Sequence, residues 1–91
     1  MKSVLLEVFI EDGCKSCVAV LYTVRSVQAD IPFEVKVYRR DTHQDIFKQR
    51  KVVITPAIFI NGVLTFYGEC TRDQIINKVH NEVLNNHTGN K

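Results

Sequence analysis

The sequence FIEDGCKSCV, residues 9–18, leads from an apolar run through a short acidic loop into an amphipathic segment. Cys14 and Cys17 stand where the amphipathic segment begins, and Gly13 allows a tight turn just before them. Two cysteines with this C-x-x-C spacing at a strand-to-helix junction are either a redox dithiol or half of a metal site. The rest of the chain is needed to choose between these two kinds of site.

The residues on both sides of the pair predict a strand and then a helix. Residues 4–10 are almost continuously apolar and rich in branched side chains, which predicts a strand buried on both faces at the centre of a sheet. From Cys14 to about Ala29, apolar residues recur at helical spacing. Pro32 ends this helix, because the residue before a proline is pushed out of the helical region.

The second strand and the second helix are predicted from alternation and from capping residues. Residues 33–38 alternate apolar and polar side chains, as in a strand with one face less buried. A short helix is expected to begin after Asp41 or Thr42 and to run to about Lys51. Asp45 is available as the capping-box partner of Thr42.

A hairpin is predicted next. Residues 52–60 are apolar but contain Pro56, which is expected to be the first residue of a strand, since proline has no N–H to donate within a sheet. Asn61-Gly62 is typical of the tight turn of a hairpin. The following strand, Val63–Tyr67, is therefore expected to pair antiparallel with the strand before the turn.

A last helix, capped by Thr71 and Gln74, completes the pattern. The order β-α-β-α-β-β-α predicts an α/β fold with a four-stranded mixed sheet flanked by three helices. Its first two strands are expected to be parallel and its last two antiparallel. The 91 residues make one domain. We expect this domain to span residues 1–84, followed by a polar, frayed tail over residues 85–91.

Three features of the chain occur together: the C-x-x-C pair after the first strand, Ile54-Thr55-Pro56 before the third, and Tyr67-Gly68 before the last helix. With them the chain resembles a minimal thioredoxin-fold protein, of the small thioredoxin or glutaredoxin-like kind, over residues 4–84. The resemblance implies a cis Thr55-Pro56 bond packed against the cysteine pair. It also implies that the backbone of Thr55 pairs with an extended substrate as an added strand.

The sequence departs from both patterns of that superfamily. W-C-G-P-C and C-P-Y-C are absent, because Lys15-Ser16 separates the cysteines and the chain has no tryptophan. The paired glycines and aspartate that glutaredoxins use for glutathione are reduced to the sequence GECT at residues 68–71. Glutathione-dependent activity therefore stays an alternative, and a thioredoxin-reductase-like protein is the expected electron donor.

The position of the cysteine pair assigns a chemical role to each sulfur. Cys14 is expected at a helix N-terminus, where unpaired backbone N–H groups and the helix dipole lower the thiol pKa from about 8.5. Lys15 adds a nearby positive charge. Cys17, one helical turn later, resolves the mixed disulfide by attacking the sulfur of Cys14. The sequence thus predicts a thiol–disulfide oxidoreductase that reduces protein disulfides without a bound cofactor.

Other residues with possible roles have simpler interpretations. Cys70 is either a small apolar filler before the last helix or, at the border of the active-site groove, a participant in disulfide exchange. Glu7 is a weak candidate for proton transfer and is expected to be an exposed or edge carboxylate. The three histidines are expected to be exposed: His43, His80 and His87.

Composition and charge bound the partners. The chain is 45% hydrophobic and 24% charged, with a net charge of +2 and no long run of one sign, so neither a nucleic-acid nor a membrane partner is expected. Its densest basic stretches, Arg39-Arg40 and residues 48–51, are interpreted as solvated surface. An odd number of cysteines and no signal-peptide pattern favour the cytoplasm. We expect a monomer whose partners are disulfide-containing proteins.

The alternative from a different class is a metal-binding module. Heavy-metal-associated domains also carry C-x-x-C after a first strand, but their order is βαββαβ and a methionine usually precedes the pair. Here Asp12-Gly13 stands at that place. A structural zinc ion needs four ligands, and only Cys70 and scattered histidines could complete the set. We therefore expect no metal site.

Overall fold

The computed structural model describes the backbone of residues 4–88 and the side chains of residues 4–83. Its strands and helices follow the predicted order: β1 Leu5–Ile10, α1 Lys15–Gln28, β2 Glu34–Arg39, α2 Gln44–Gln49, β3 Ala57–Ile60, β4 Val63–Tyr67 and α3 Arg72–Thr88. Within residues 4–88, no helix has the length and apolar character that crossing a membrane requires.

The sheet has the strand order β2-β1-β3-β4. β1 pairs parallel with β2 and antiparallel with β3, and β3 pairs antiparallel with β4. Asn61 and Gly62 both have positive φ, 51° and 83°, as the tight turn between β3 and β4 requires. The predicted fold is confirmed: a four-stranded mixed α/β sheet with three helices and the thioredoxin-like element order.

Side chains of β1 alternate between two cores on opposite faces of the sheet. Leu6 and Val8 are fully buried in a cluster with α1 and α3, and Phe9 is fully buried in a second cluster with Phe47 of α2. Burying an aliphatic or aromatic side chain of this size contributes about 1.5–3 kcal/mol. The continuous apolar run of β1 is thus explained by its central position between two helical layers.

The ends of the elements differ from the predictions at two places. α2 begins only at Gln44, with His43 as its N-cap residue, so the predicted cap at Asp41 or Thr42 is wrong. The physical reason is a turn after β2, in which the backbone N–H groups of Thr42 and His43 both donate to the carbonyl of Arg39. Pro56 was predicted to be the first residue of β3. The strand begins one residue later, at Ala57.

The capping box of α3 is confirmed. The N–H of Gln74 donates to Oγ1 of Thr71 over 3.1 Å, and the N–H of Thr71 donates to Oε1 of Gln74 over 2.8 Å. The helix continues to Thr88, four residues past the predicted domain end. The predicted tail of residues 85–91 lies partly outside the described residues.

Candidate active site

Cys14 and Cys17 lie at the N-terminus of α1, directly after the loop that leaves β1. Gly13, with φ 74°, makes the turn, and Cys14 is the N-cap residue with extended backbone angles, φ −102° and ψ 105°. The two sulfurs are at disulfide-bonding distance, and the Cα atoms are 5.2 Å apart. The geometry thus places one sulfur at the helix end and the other within the first helical turn.

The two cysteines differ in exposure and in hydrogen bonding. The sulfur of Cys14 accepts a hydrogen bond from the backbone N–H of Cys17 over 3.1 Å. Cys14 is half-exposed, whereas Cys17 is 1% exposed. An N–H donor and the positive end of a helix dipole both favour a thiolate over a thiol. The more exposed cysteine is therefore also the one at the N-terminus of α1.

The loop before β3 is tied to Glu11, which follows β1, directly by one hydrogen bond and through Arg40 by two more. Oγ1 of Thr55 donates to Oε1 of Glu11 over 2.8 Å, and Nε of Arg40 donates to the same oxygen over 2.9 Å. Nη2 of Arg40 also donates to the carbonyl of Val53 over 2.7 Å. The hydrogen bonds from Thr55 and Arg40 lower the pKa of Glu11. This network fixes Thr55 relative to the loop that carries Cys14.

Sequence reasoning missed Glu11 and Arg40, although one signal for them was available. Parallel pairing of the predicted first two strands puts their C-terminal ends side by side, and the register pairs Ile10 with Arg39. Glu11 and Arg40, an acid and a base, directly follow these two strands and are then neighbours. Their opposite charges could have indicated the ion pair.

A third loop, residues 68–71, contacts both the loop before β3 and the first turn of α1. The N–H of Gly68 donates to the carbonyl of Pro56 over 2.8 Å, and Oγ of Ser16 donates to Glu69 over 3.1 Å. The Thr55-Pro56 bond is cis, as the resemblance implied, and Pro56 is buried. All three sequence features therefore meet at one end of the sheet. Lys15 is exposed at the same end.

A groove of about 360 Å³ opens beside the cysteine pair. Cys14 and Cys17 line it at one end, and Val18 and Tyr22 of α1 form a wall along it. The side chains of Val18 and Tyr22 are 71% and 78% exposed. The end of α1 that carries the cysteine pair is thus bordered by exposed apolar surface.

The environment of Glu7 differs from the predicted one. Glu7 is 4% exposed and not an exposed or edge carboxylate, because β1 is central and Glu7 shares a face of the sheet with Phe9, which packs against Phe47 of α2. Nη1 and Nη2 of Arg50 donate to its two oxygens over 2.8 and 2.9 Å, and the Tyr38 hydroxyl donates over 3.0 Å. Burial opposes ionisation, but these hydrogen bonds and the charge of Arg50 lower the pKa of Glu7. Glu7 belongs to a structural ion pair on the face opposite α1.

Cys70 packs against the core beneath α1 and α3. It is half-buried, and burial raises the pKa of its thiol to about 11. Since the thiolate is the reactive form, very little of Cys70 is reactive at neutral pH. These observations agree with the interpretation of Cys70 as an apolar filler.

We therefore expect Cys70 to stay unmodified when the folded, oxidised protein is incubated with oxidised glutathione at neutral pH. Mass spectrometry of the intact chain checks this, with the urea-unfolded protein as the positive control for modification. A glutathione adduct on Cys70 in the folded protein, at a rate close to that of the unfolded chain, would contradict it.

The histidines and the other possible ligands form no metal site in the part of the chain that the structure describes. His80 is exposed as predicted, whereas His43 is half-buried, because its ring packs 5.3 Å from the ring of Tyr38. The side chain of His87 lies outside the described ones. Among the described residues, no three His, Cys, Asp or Glu side chains are grouped to hold a metal ion.

The chain resembles known proteins in both sequence and fold. Residues 4–81 match the model of a family described as thioredoxin domain. None of the curated proteins matches the chain in sequence. Thioredoxin 1 from the thermophilic eubacterium Thermosipho africanus is structurally similar, with a TM-score of 0.75 and 19% identity over 96% of this chain and 99% of that chain.

Two more solved thioredoxins show the same similarity. Chloroplastic thioredoxin z has a TM-score of 0.73 and 20% identity, with 87% of this chain and 77% of that chain covered. The thioredoxin of Fasciola hepatica has a TM-score of 0.72 and 15% identity, with 87% and 80% covered. At these identities the structural similarity shows the fold.

Proposed function

The chain belongs to the thioredoxin domain family, and we propose that it is a thiol–disulfide oxidoreductase that reduces protein disulfides through Cys14 and Cys17. One observation carries the proposal. The half-exposed sulfur of Cys14 caps α1 and accepts the N–H of Cys17, while the second sulfur, at bonding distance, is buried. An accessible activated sulfur beside a protected one is what sequential dithiol exchange requires.

The reaction transfers two electrons from the dithiol to the substrate. The Cys14 thiolate attacks one sulfur of the substrate disulfide, so that a Cys14–substrate bond forms as the substrate S–S bond breaks. Cys17 then attacks the sulfur of Cys14, which closes the intramolecular disulfide and releases the second substrate sulfur. Because Cys14 reacts as a thiolate, one of the protons that the two released substrate sulfurs take up comes from the Cys17 thiol and the other comes from water.

Thr55 is proposed to hold the substrate during this exchange. Its backbone would pair with an extended segment beside the substrate cysteine, as an added strand. Support comes from the hydrogen bonds that anchor the loop of Thr55 to Glu11 and Pro56 to Gly68. A loop fixed in this way loses little conformational freedom when a substrate binds.

A thioredoxin-reductase-like protein is the proposed electron donor, with no bound cofactor in this chain. The sequence GECT at residues 68–71 in place of a glycine pair and aspartate supports a donor other than glutathione. We further propose that the protein acts as a monomer in the cytoplasm, where the reducing environment keeps such a dithiol reduced.

Insulin reduction with two alternative donors tests the proposal. The oxidised protein is assayed with NADPH and a thioredoxin reductase, and in parallel with NADPH, glutathione reductase and glutathione. We expect turnover with the first donor and much slower turnover with the second. Faster turnover with glutathione would instead support a glutaredoxin-type activity. Tight stoichiometric metal binding by the reduced protein, without reduction of insulin, would contradict the proposed redox function.

Replacing Cys17 by serine is expected to stop the reaction after its first step. Cys14 still attacks the substrate disulfide, but no second thiol is present to resolve the product. Non-reducing electrophoresis and mass spectrometry should then detect a stable mixed disulfide between Cys14 and a substrate chain. A Cys17→Ser variant that forms no adduct and still turns over would show that Cys17 is not the resolving residue.

A further inference from the structure

The two basic stretches of the sequence meet at one groove on the face of α2. This groove of about 370 Å³ is lined by Arg40, which follows β2, by Lys48 of α2 and by Lys51, two residues after α2. The remaining lining residues are apolar or uncharged: Gln44, Phe47, Val52 and Val53. The groove therefore combines three positive charges with an apolar surface and contains no acidic side chain in its lining.

The charges of this groove are not equally available to a partner. Arg40 forms an ion pair with Glu11, and the adjacent Arg39 and Arg50 pair with Asp12 and with Glu7. Lys48 and Lys51 are exposed and form no ion pair among the described residues. The two lysines thus carry charge that no ion pair among the described residues neutralises, although Lys48 also lines a neighbouring depression together with Asp41 and Asp45.

The groove includes a residue that lies two positions before the proposed substrate-binding residue. Val53 lines it, and the side chains of Val53 and Ile54 are 76% and 61% exposed. Thr55 follows them in sequence. Exposed aliphatic side chains of this kind gain free energy when an apolar group covers them. A segment paired with Thr55 would reach Val53 and then the lysines.

We propose that this groove selects substrates by binding an acidic segment beside the disulfide that Cys14 attacks. Carboxylates of the segment bind Lys48 and Lys51, and an aliphatic side chain covers Val53. The carboxylates stand on the same segment as the substrate cysteine, beyond the aliphatic residue that covers Val53. The inference rests on the proposed function and adds a substrate class to it. A protein segment fits better than glutathione, because glutathione has no aliphatic side chain for Val53.

An NMR titration tests the groove without requiring any catalysis. The probe is a synthetic peptide with a serine in place of the substrate cysteine, a nearby valine and three glutamates. Its matched control carries glutamine in place of each glutamate. We expect the acidic peptide to shift the amide resonances of residues 48–54, with an affinity about five-fold higher than that of the glutamine peptide. The difference should disappear at high salt, since exposed charges are screened.

Two variants test whether the preference for the acidic peptide depends on Lys48 and Lys51. Lys48→Gln combined with Lys51→Asn removes both charges, and asparagine suits position 51 because its φ is 58°. This double variant should bind the two peptides equally. Lys78→Gln removes an exposed charge at a different site, against β4, and should keep the five-fold preference.

Reduction of the cysteine-containing peptides, each as a mixed disulfide with thionitrobenzoate, gives a second measurement. We expect kcat/KM to be about five-fold higher for the acidic peptide in the wild type, and equal for both peptides in the double variant. Equal shifts by both peptides, shifts confined to other residues, or the same shifts from oxidised glutathione would overturn the inference. If the wild type reduces neither peptide disulfide, the proposed function is contradicted. The NMR titration still tests whether the groove prefers the acidic peptide, because it requires no catalysis.

Discussion

Replacing Cys14 by serine is expected to lower the rate of insulin reduction to the rate measured without the protein. A serine hydroxyl stays protonated at the helix N-terminus under conditions in which a thiol ionises, and it forms no S–S bond. Cys17 cannot take over the first step, because its side chain is 1% exposed and a substrate disulfide cannot reach it. This is the largest effect on activity that we expect from any single substitution.

The matched control is Cys70→Ser, which removes the third thiol and leaves the pair intact. We expect this variant to reduce insulin at a rate close to that of the wild type, because Cys70 packs against the core and burial raises the pKa of its thiol to about 11. Precipitation of insulin, followed by turbidity with dithiothreitol as donor, measures both variants. Wild-type activity in Cys14→Ser would show that another residue is the nucleophile.

The hairpin turn, the cap of α3 and the start of α1, all predicted from the sequence, are set by local chemistry. Asn61-Gly62 adopts the two positive φ angles of a hairpin turn, and Thr71 caps α3 in the expected way. The position of Cys14 at a helix end followed from a change of period at Gly13. Each of these features depends on residues that are close in sequence.

The parts that sequence did not predict depend on residues far apart in the chain. Glu11 and Thr55 are 44 positions apart, and their hydrogen bond forms only because the end of β1 adjoins the loop before β3. Glu7 looks like a surface residue in isolation, since its cation, Arg50, lies 43 positions away. The convergence of Arg40 with Lys48 and Lys51 was likewise set by packing of α2 and not by any sequence period.

The second large effect concerns stability and follows from that buried ion pair. Replacing Arg50 by methionine leaves Glu7 as a buried carboxylate without its cation. Removing one partner of such a pair typically costs about 3 kcal/mol or more. We therefore expect the free energy of unfolding at neutral pH to fall by about 3 kcal/mol. Urea unfolding followed by circular dichroism measures it, with Arg25→Met on the exposed face of α1 as the matched control, expected to change stability by about 0.5 kcal/mol or less.

The pH dependence separates the loss of an ion pair from a general packing defect. In the wild type, burial raises the pKa of Glu7 but the hydrogen bonds and charge of its partners outweigh it, so the folded pKa lies below the ordinary 4.5. The stability that this pair contributes is thus present above pH 4.5 and is lost as the pH falls through the folded pKa. In Arg50→Met, Glu7 is still desolvated but has lost its arginine. Protonation of Glu7 then removes an unpaired buried charge and stabilises the variant. The difference in unfolding free energy between the two proteins should therefore shrink on acidification. A difference that stays constant between neutral and acid pH would mean that packing of the Arg50 side chain, and not its charge, stabilises this face of the sheet.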